Sequence, residues 1–213
     1  ASALIDDYFA SFPAIRGFID ATLDFARREG YVQTLLGRRR YIPELQSHNR
    51  NIVAEAVLRA QGQNVVLLDS RKFIYTTGDQ KEGDPDYIRC ADAFAAYRDN
   101  ASGAAQILLF PGFICTWTGG TGSREQMGLL GRNGSDFSAA IVGSCLGAKK
   151  VEFWTDVEGI FTADPRIVKD AVLVKDMSYE EAMELSFFGS RVLHPKTLAP
   201  LAAKDIEAWS LDS

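Results

Sequence analysis

The chain has 213 residues, 46% of them hydrophobic and 24% charged, with a formal net charge of −5. That is enough sequence for one large domain or two small ones with a real core, and the acidic balance disfavours a general nucleic-acid binder, whose surface is normally basic. No apolar run reaches membrane length, and Asp6 and Asp7 stand where a signal peptide needs basic residues, so a cytoplasmic protein with no membrane partner is the expectation.

Charge is unevenly spread. Residues 1–50 carry seven Arg against six Asp/Glu, a net +1, and the remainder carries 16 Lys/Arg against 22 Asp/Glu, a net −6. The three cysteines, Cys90, Cys115 and Cys145, match no metal-ligand spacing and read as free thiols. Two helical patterns come first. Leu4, Ile5, Tyr8, Phe9 and Phe12 run up to Pro13, and Ile15, Phe18, Ile19, Leu23 and Ala26 run up to Gly30. Tyr31–Leu35 and Arg39–Ile42 read as a small hairpin around Leu36-Gly37, closed by Pro43.

From Ile52 the rhythm becomes strand–helix alternation. Ile52–Ala60 reads as a short helix stopped by Gly62, and Asn64–Asp69 as a buried strand. Residues 76–87 are polar and rich in Gly and Asp, which predicts a loop. Asp86–Arg98 reads as a helix, and Gln106–Ile114 as a strand broken at Pro111-Gly112. A Gly/Thr-rich loop over Thr116–Gly122 precedes a helix over Phe137–Leu146 and a strand over Val151–Trp154. Ser178-Tyr-Glu-Glu181 is a capping box opening an amphipathic helix, and Pro195 opens the last one. Short buried strands alternating with helices predict an α/β fold with a mostly parallel open sheet flanked by helices.

Three segments carry chemistry. In Gly131-Arg-Asn-Gly-Ser-Asp136, two glycines let backbone approach a ligand, and Ser135 or Asp136 is placed to cap the following helix. A glycine loop feeding a helix N-terminus suits an anion, and Arg132 adds a fork for carboxylate or phosphate. An ordinary capped loop fits the same spacing. Trp154-Thr-Asp-Val-Glu-Gly-Ile-Phe-Thr-Ala-Asp-Pro-Arg166 places polar residues beyond a strand's carboxyl end, where open parallel sheets bind ligands; a turn punctuated by Asp-Pro fits equally. In Phe188–Thr197, His194 precedes Pro195 and reads as a hydrogen-bonded structural residue rather than a base, because no nucleophile motif accompanies it.

Those three segments, with Asn64–Arg71, Gly112-Phe113-Ile114 and Ser178–Glu184, together resemble aspartokinases of the amino-acid kinase superfamily over about residues 52–209. The resemblance implies an open sheet with helices on both faces, the family's N-terminal lobe missing, and ATP with magnesium at the strand ends. It implies that Arg132 and Ser135 hold the aspartate substrate and that Asp136 orients the lysine clamping the transferred phosphoryl group. It further implies that Thr155 and Asp156 line the adenine pocket, with Phe161, Arg166 and Arg191 around the nucleotide. No metal ligand among the side chains is implied.

Phe161 stands where a tyrosine is typical, and Arg191 where a lysine is. The family's Lys-Phe-Gly-Gly-Thr-Ser segment is not in this sequence. In its place, residues 7–50 resemble part of the fingers subdomain of family A DNA polymerases. Gly30-Tyr-Val-Gln-Thr-Leu-Leu-Gly-Arg-Arg-Arg-Tyr-Ile-Pro-Glu44 carries that resemblance most specifically, without the polymerase's metal-binding carboxylates. Two families meeting near Arg50 give the expected organisation: a chimera of a helix-helix-hairpin cap over 1–50 and a nucleotide-binding α/β domain over 51–213. The expected chemistry is phosphoryl transfer from ATP to the side-chain carboxylate of aspartate, impaired or lost in this chain. The rivals are a catalytically inert chimeric protein with a structural role, and a nucleic-acid-binding module led by Arg38–Arg40. The expected partner is a small-molecule nucleotide, with a homo-oligomer left open.

Overall fold

The structure is a computed structural model in which residues 43–100, 107–119, 125–155, 159–162, 167–187 and 193–212 are described. The two N-terminal helical patterns and the hairpin expected around Leu36-Gly37 lie outside those residues. The chain divides into two compact units, one of Ala1–Asp69 with Gly103–Pro111 and one of Ser70–Ser102 with Gly112–Ser213.

In the first unit, helix α1 spans Pro43–Ala60. Proline at its first position needs no N–H there and presets the helical φ. The helix therefore starts nine residues earlier than the apolar pattern over Ile52–Ala60 suggested, and it runs unbroken through the position between residues 50 and 51. Near its end Arg59 pairs with Glu55 at 2.8 Å and donates from Nη2 to the Val65 carbonyl at 2.9 Å. Strand β1 (Val65–Leu67) pairs in parallel with β4 (Ile107–Leu109), Val65 opposite Ile107.

The second unit contains a four-stranded sheet in the order β3-β2-β5-β6. Its central pair, β2 (Tyr75–Gly78) and β5 (Ile114–Trp117), is parallel. β3 (Gly83–Pro85) and β6 (Gln126–Leu129) add antiparallel edges. Residues 76–87 are therefore not the loop their composition suggested. Asp79 Oδ1 accepts from the Lys81 and Glu82 amides, tightening a turn that folds β3 back on β2. Helix α2 (Tyr87–Asn100) starts where Asp86 Oδ1 accepts from the Arg89 amide at 3.1 Å. Helix α3 (Gly134–Leu146) packs between two cores. Phe137 and Ile141 enter one with Ile74, Cys90, Cys115 and Leu130, while Ala140 enters the other with Val151 and Phe153.

That second core lies on β7 (Lys150–Thr155), which pairs in parallel with β10 (Glu207–Asp212). It is closed by α4 (Tyr179–Phe187) and α5 (Pro195–Ala202), through Ala182, Leu198 and Leu201. The capping box is formed as its sequence predicts: the Ser178 amide donates to Glu181 Oε2 at 2.7 Å, and the Glu181 amide donates to Ser178 Oγ at 3.2 Å. His194 caps α5, its Nδ1 accepting from the Lys196 amide at 3.2 Å, which is a structural role. A separate hairpin joins β8 (Ile160–Phe161) to β9 (Leu173–Val174). The α/β architecture expected from strand–helix alternation is the one adopted, with parallel pairs β1/β4, β2/β5 and β7/β10.

Candidate functional site

The loop leading into α3 turns on two left-handed residues, Gly131 at φ +74° and Asn133 at φ +56°. Asparagine tolerates this region better than most side chains. The turn starts the helix at Gly134, earlier than Phe137, so neither Ser135 nor Asp136 is its cap. Asn133 occupies that position without a side-chain cap bond. Ser135 and Asp136 stand instead in the first turn, where unpaired N–H groups and the helix dipole favour an anion.

Arg132 and Ser135 are exposed, and Asp136 is half-buried. Burial pushes the Asp136 carboxyl above the usual carboxylate range. A fork-shaped cation, a hydroxyl and a carboxylate thus share one turn of chain at a helix N-terminus. That set can grip a small zwitterion or a phosphate.

A second segment shapes this turn. Phe113, between β4 and β5, holds φ at +77°, which is rare for a bulky side chain. Its amide donates to Ser138 Oγ at 2.8 Å, and its carbonyl accepts from the Leu130 amide at 3.0 Å. The Gly112-Phe113 bend lies directly on the helix start. A Cβ on Gly112 would stand 3.1 Å from Ser135 Cα, and a Cβ on Gly134 would stand 2.4 Å from the Phe113 ring. Phe113 and Ser138 shape the candidate turn, and the spacing arguments did not find them. The Gly112-Phe113-Ile114 resemblance marked the segment, but a positive φ at phenylalanine leaves no mark in sequence.

Of the other residues expected around a nucleotide, Thr155 ends β7 opposite Asp212, and Phe161 lies half-buried on β8 opposite Leu173. Asp156, Arg166 and Arg191 lie outside the described residues. A cavity of about 720 Å³ opens beside β8, lined by Ile160, Leu173, Leu185, Ser186 and Lys175 among others. Its volume is in the range of small-molecule sites, and its lining mixes apolar side chains with the charged Lys175, Asp176, Asp205 and Glu207. It does not include Arg132, Ser135, Asp136 or Thr155. Among the described residues, no group of three His, Cys, Asp or Glu is arranged to hold a metal ion, and no helix is long and apolar enough to cross a membrane. Cys90, Cys115 and Cys145 are free thiols, as their spacing suggested.

An α/β unit with a glycine loop feeding a helix N-terminus beyond a strand end is an arrangement suited to an anionic small molecule. The model of the amino acid kinase family matches residues 42–209, and the chain belongs to that family. The model of DNA polymerase family A matches residues 1–66, so the two overlap along the whole of α1. The bifunctional aspartokinase/homoserine dehydrogenase of Haemophilus influenzae is 35% identical over 208 residues, covering 96% of this chain and 23% of its own length. That of Buchnera aphidicola is 38% identical over 155 residues, covering 70% of this chain and 18% of its own. This chain therefore spans about a fifth of these curated relatives. A crystal structure of Escherichia coli aspartokinase III in complex with aspartate and ADP superposes with a TM-score of 0.72 at 28% identity, covering 93% of this chain and 44% of that one.

Proposed function

We propose that the chain carries the amino-acid and nucleotide sites of an aspartate kinase, whose chemistry is phosphoryl transfer from ATP to the side-chain carboxylate of aspartate. Arg132 and Ser135 hold the aspartate, and Asp136 stands where the resembling family orients its phosphoryl-clamping lysine. Thr155, Asp156, Phe161, Arg166 and Arg191 surround the nucleotide. The observation that carries this reading is the first turn of α3, where Ser135 and Asp136 follow the exposed Arg132 on an uncapped helix start. The likeness to an aspartokinase crystallised with aspartate and ADP supports it.

The chemistry asks for positioning and charge rather than covalent help from the protein. A guanidinium binds a carboxylate through two parallel hydrogen bonds, which fixes the substrate's direction as well as its place. The cavity beside β8 is lined by apolar Ile160, Leu173 and Leu185 and by the polar Lys175, Asp176, Ser186, Asp205 and Glu207, and it does not include Thr155 or Phe161. Magnesium, when bound with the nucleotide, would neutralise charge on its phosphates.

We further propose that residues 1–50 form a polymerase-like segment joined to the kinase-like part over 51–213, and that this 213-residue chain by itself binds its ligands with little or no turnover. Titration calorimetry with MgATP and with aspartate tests the binding reading. Saturable heats are expected for both, with the aspartate heat abolished by Arg132→Ala and the MgATP heat retained. A melting curve unmoved by millimolar concentrations of either ligand would sink it, since a ligand at 100 times its Kd adds about 2.7 kcal/mol to stability.

A further inference from the structure

We infer that Ser138 is a positioning residue for the amino-acid substrate: its hydroxyl locks the Gly112-Phe113 bend onto the first turn of α3. The inference rests on the proposed aspartate site and names a residue that supports it from behind. Ser138 is only 3% exposed.

Its hydroxyl makes two bonds in opposite senses. The O–H donates to the Gly134 carbonyl at 2.7 Å, while the oxygen accepts from the Phe113 amide at 2.8 Å. A serine donating back along its own helix is ordinary. Accepting a main-chain amide from another segment at the same time is not required by the helix. It fastens the strained residue to the turn that carries Ser135 and Asp136. Leu130 holds the other side of the bend by donating to the Phe113 carbonyl at 3.0 Å. The phenylalanine at φ +77° is thus gripped at both its N–H and its C=O, as an unfavourable conformation must be to persist.

The same clamp sets two close approaches. The Phe113 ring covers Gly134, and the Gly112 backbone meets the Ser135 backbone. Removing the hydroxyl leaves the half-buried Phe113 amide without its acceptor. The bend then relaxes toward a common conformation, and the surface presented beside Ser135 and Asp136 changes. The cavity beside β8 is built from other elements and keeps its shape.

The test is calorimetry of aspartate and of MgATP on wild type, Ser138→Ala and Ser138→Thr, with a melting curve for each. Expected is about a tenfold loss of aspartate affinity in Ser138→Ala, in line with one unmade hydrogen bond to a half-buried amide. MgATP affinity should stay within about twofold, and Ser138→Thr, which keeps the hydroxyl, should restore aspartate binding to within about threefold. If Ser138→Ala does not fold, Ser138→Thr carries the test, and a tenfold loss in that folded variant overturns the inference. Equal aspartate affinity in Ser138→Ala and wild type also overturns it, and so does an equal loss for both ligands. A wild type that binds no aspartate brings down the proposed function and this inference together, whereas binding that ignores Ser138 brings down this one alone.

Discussion

Asp136 sits half-buried in the first turn of α3, and two forces act on its charge. The helix dipole favours a carboxylate there by about 0.3–1 kcal/mol, while loss of water disfavours it. Burial wins, since the carboxyl is held above its ordinary range. A raised folded-state value means that this group supports folding most below the unfolded value of about 3.9. That support is lost as pH rises through the folded value. Ionised Asp136 is therefore a small liability at neutral pH, as functional charges often are. Asp136→Asn should raise stability at pH 7 by roughly 0.5 kcal/mol or less, because the half-open site is screened by solvent. The gain should vanish below about pH 4, where the wild-type carboxyl is also neutral. Urea melts at the two pH values measure this, and a variant less stable at pH 7 would refute it. Much of this turn was legible in sequence: Gly131, Arg132, Ser135 and Asp136 stand together in it. The left-handed Phe113 was not legible, because it is held by Ser138 and Leu130, distant in sequence.

Among elements, local chemistry wrote the helices more plainly than the strands. Ser178 and Glu181 satisfy each other's amides at the start of α4, and Pro195 and His194 open α5. Ser178→Ala should thus cost about 1 kcal/mol, read by denaturant melts against a Glu180→Ala control on the exposed face of the same turn. The β2–β3 hairpin was hidden because its pairing, not its Gly- and Asp-rich composition, makes it a strand pair. Packing should separate two large side chains, one on α5 and one on β7, in the same way. Leu201 is fully buried in the second core, while Trp154 is 63% exposed on the open face of β7. Leu201→Ala should cost about 2–5 kcal/mol, and Trp154→Ala about 0.5 kcal/mol or less. Equal costs would mean that the open face of β7 is covered in the folded protein.

At the scale of the whole molecule, membership of the amino acid kinase family meets a chain that carries part of the machinery expected of an aspartate kinase. The turn proposed for the substrate and the strand-end region proposed for the nucleotide lie within residues 112–213, yet the lysine segment of the resembling family is not among the 213 residues. Removing one preorganised charge contact to a transition state typically slows an enzyme about 10²–10³-fold. Losing a lysine together with its loop should cost more. Binding and turnover should therefore come apart: aspartate and MgATP bind, while aspartyl phosphate trapped with hydroxylamine stays at the background of a chain carrying Asp136→Ala. The assay uses the 213-residue chain at saturating concentrations of both substrates, so that weak affinity cannot pass for absent chemistry. Hydroxamate above background, abolished by Asp136→Ala, would overturn the prediction. It would also require a cation from another segment to take the lysine's part, and substituting the arginines of residues 1–50 in turn would locate it.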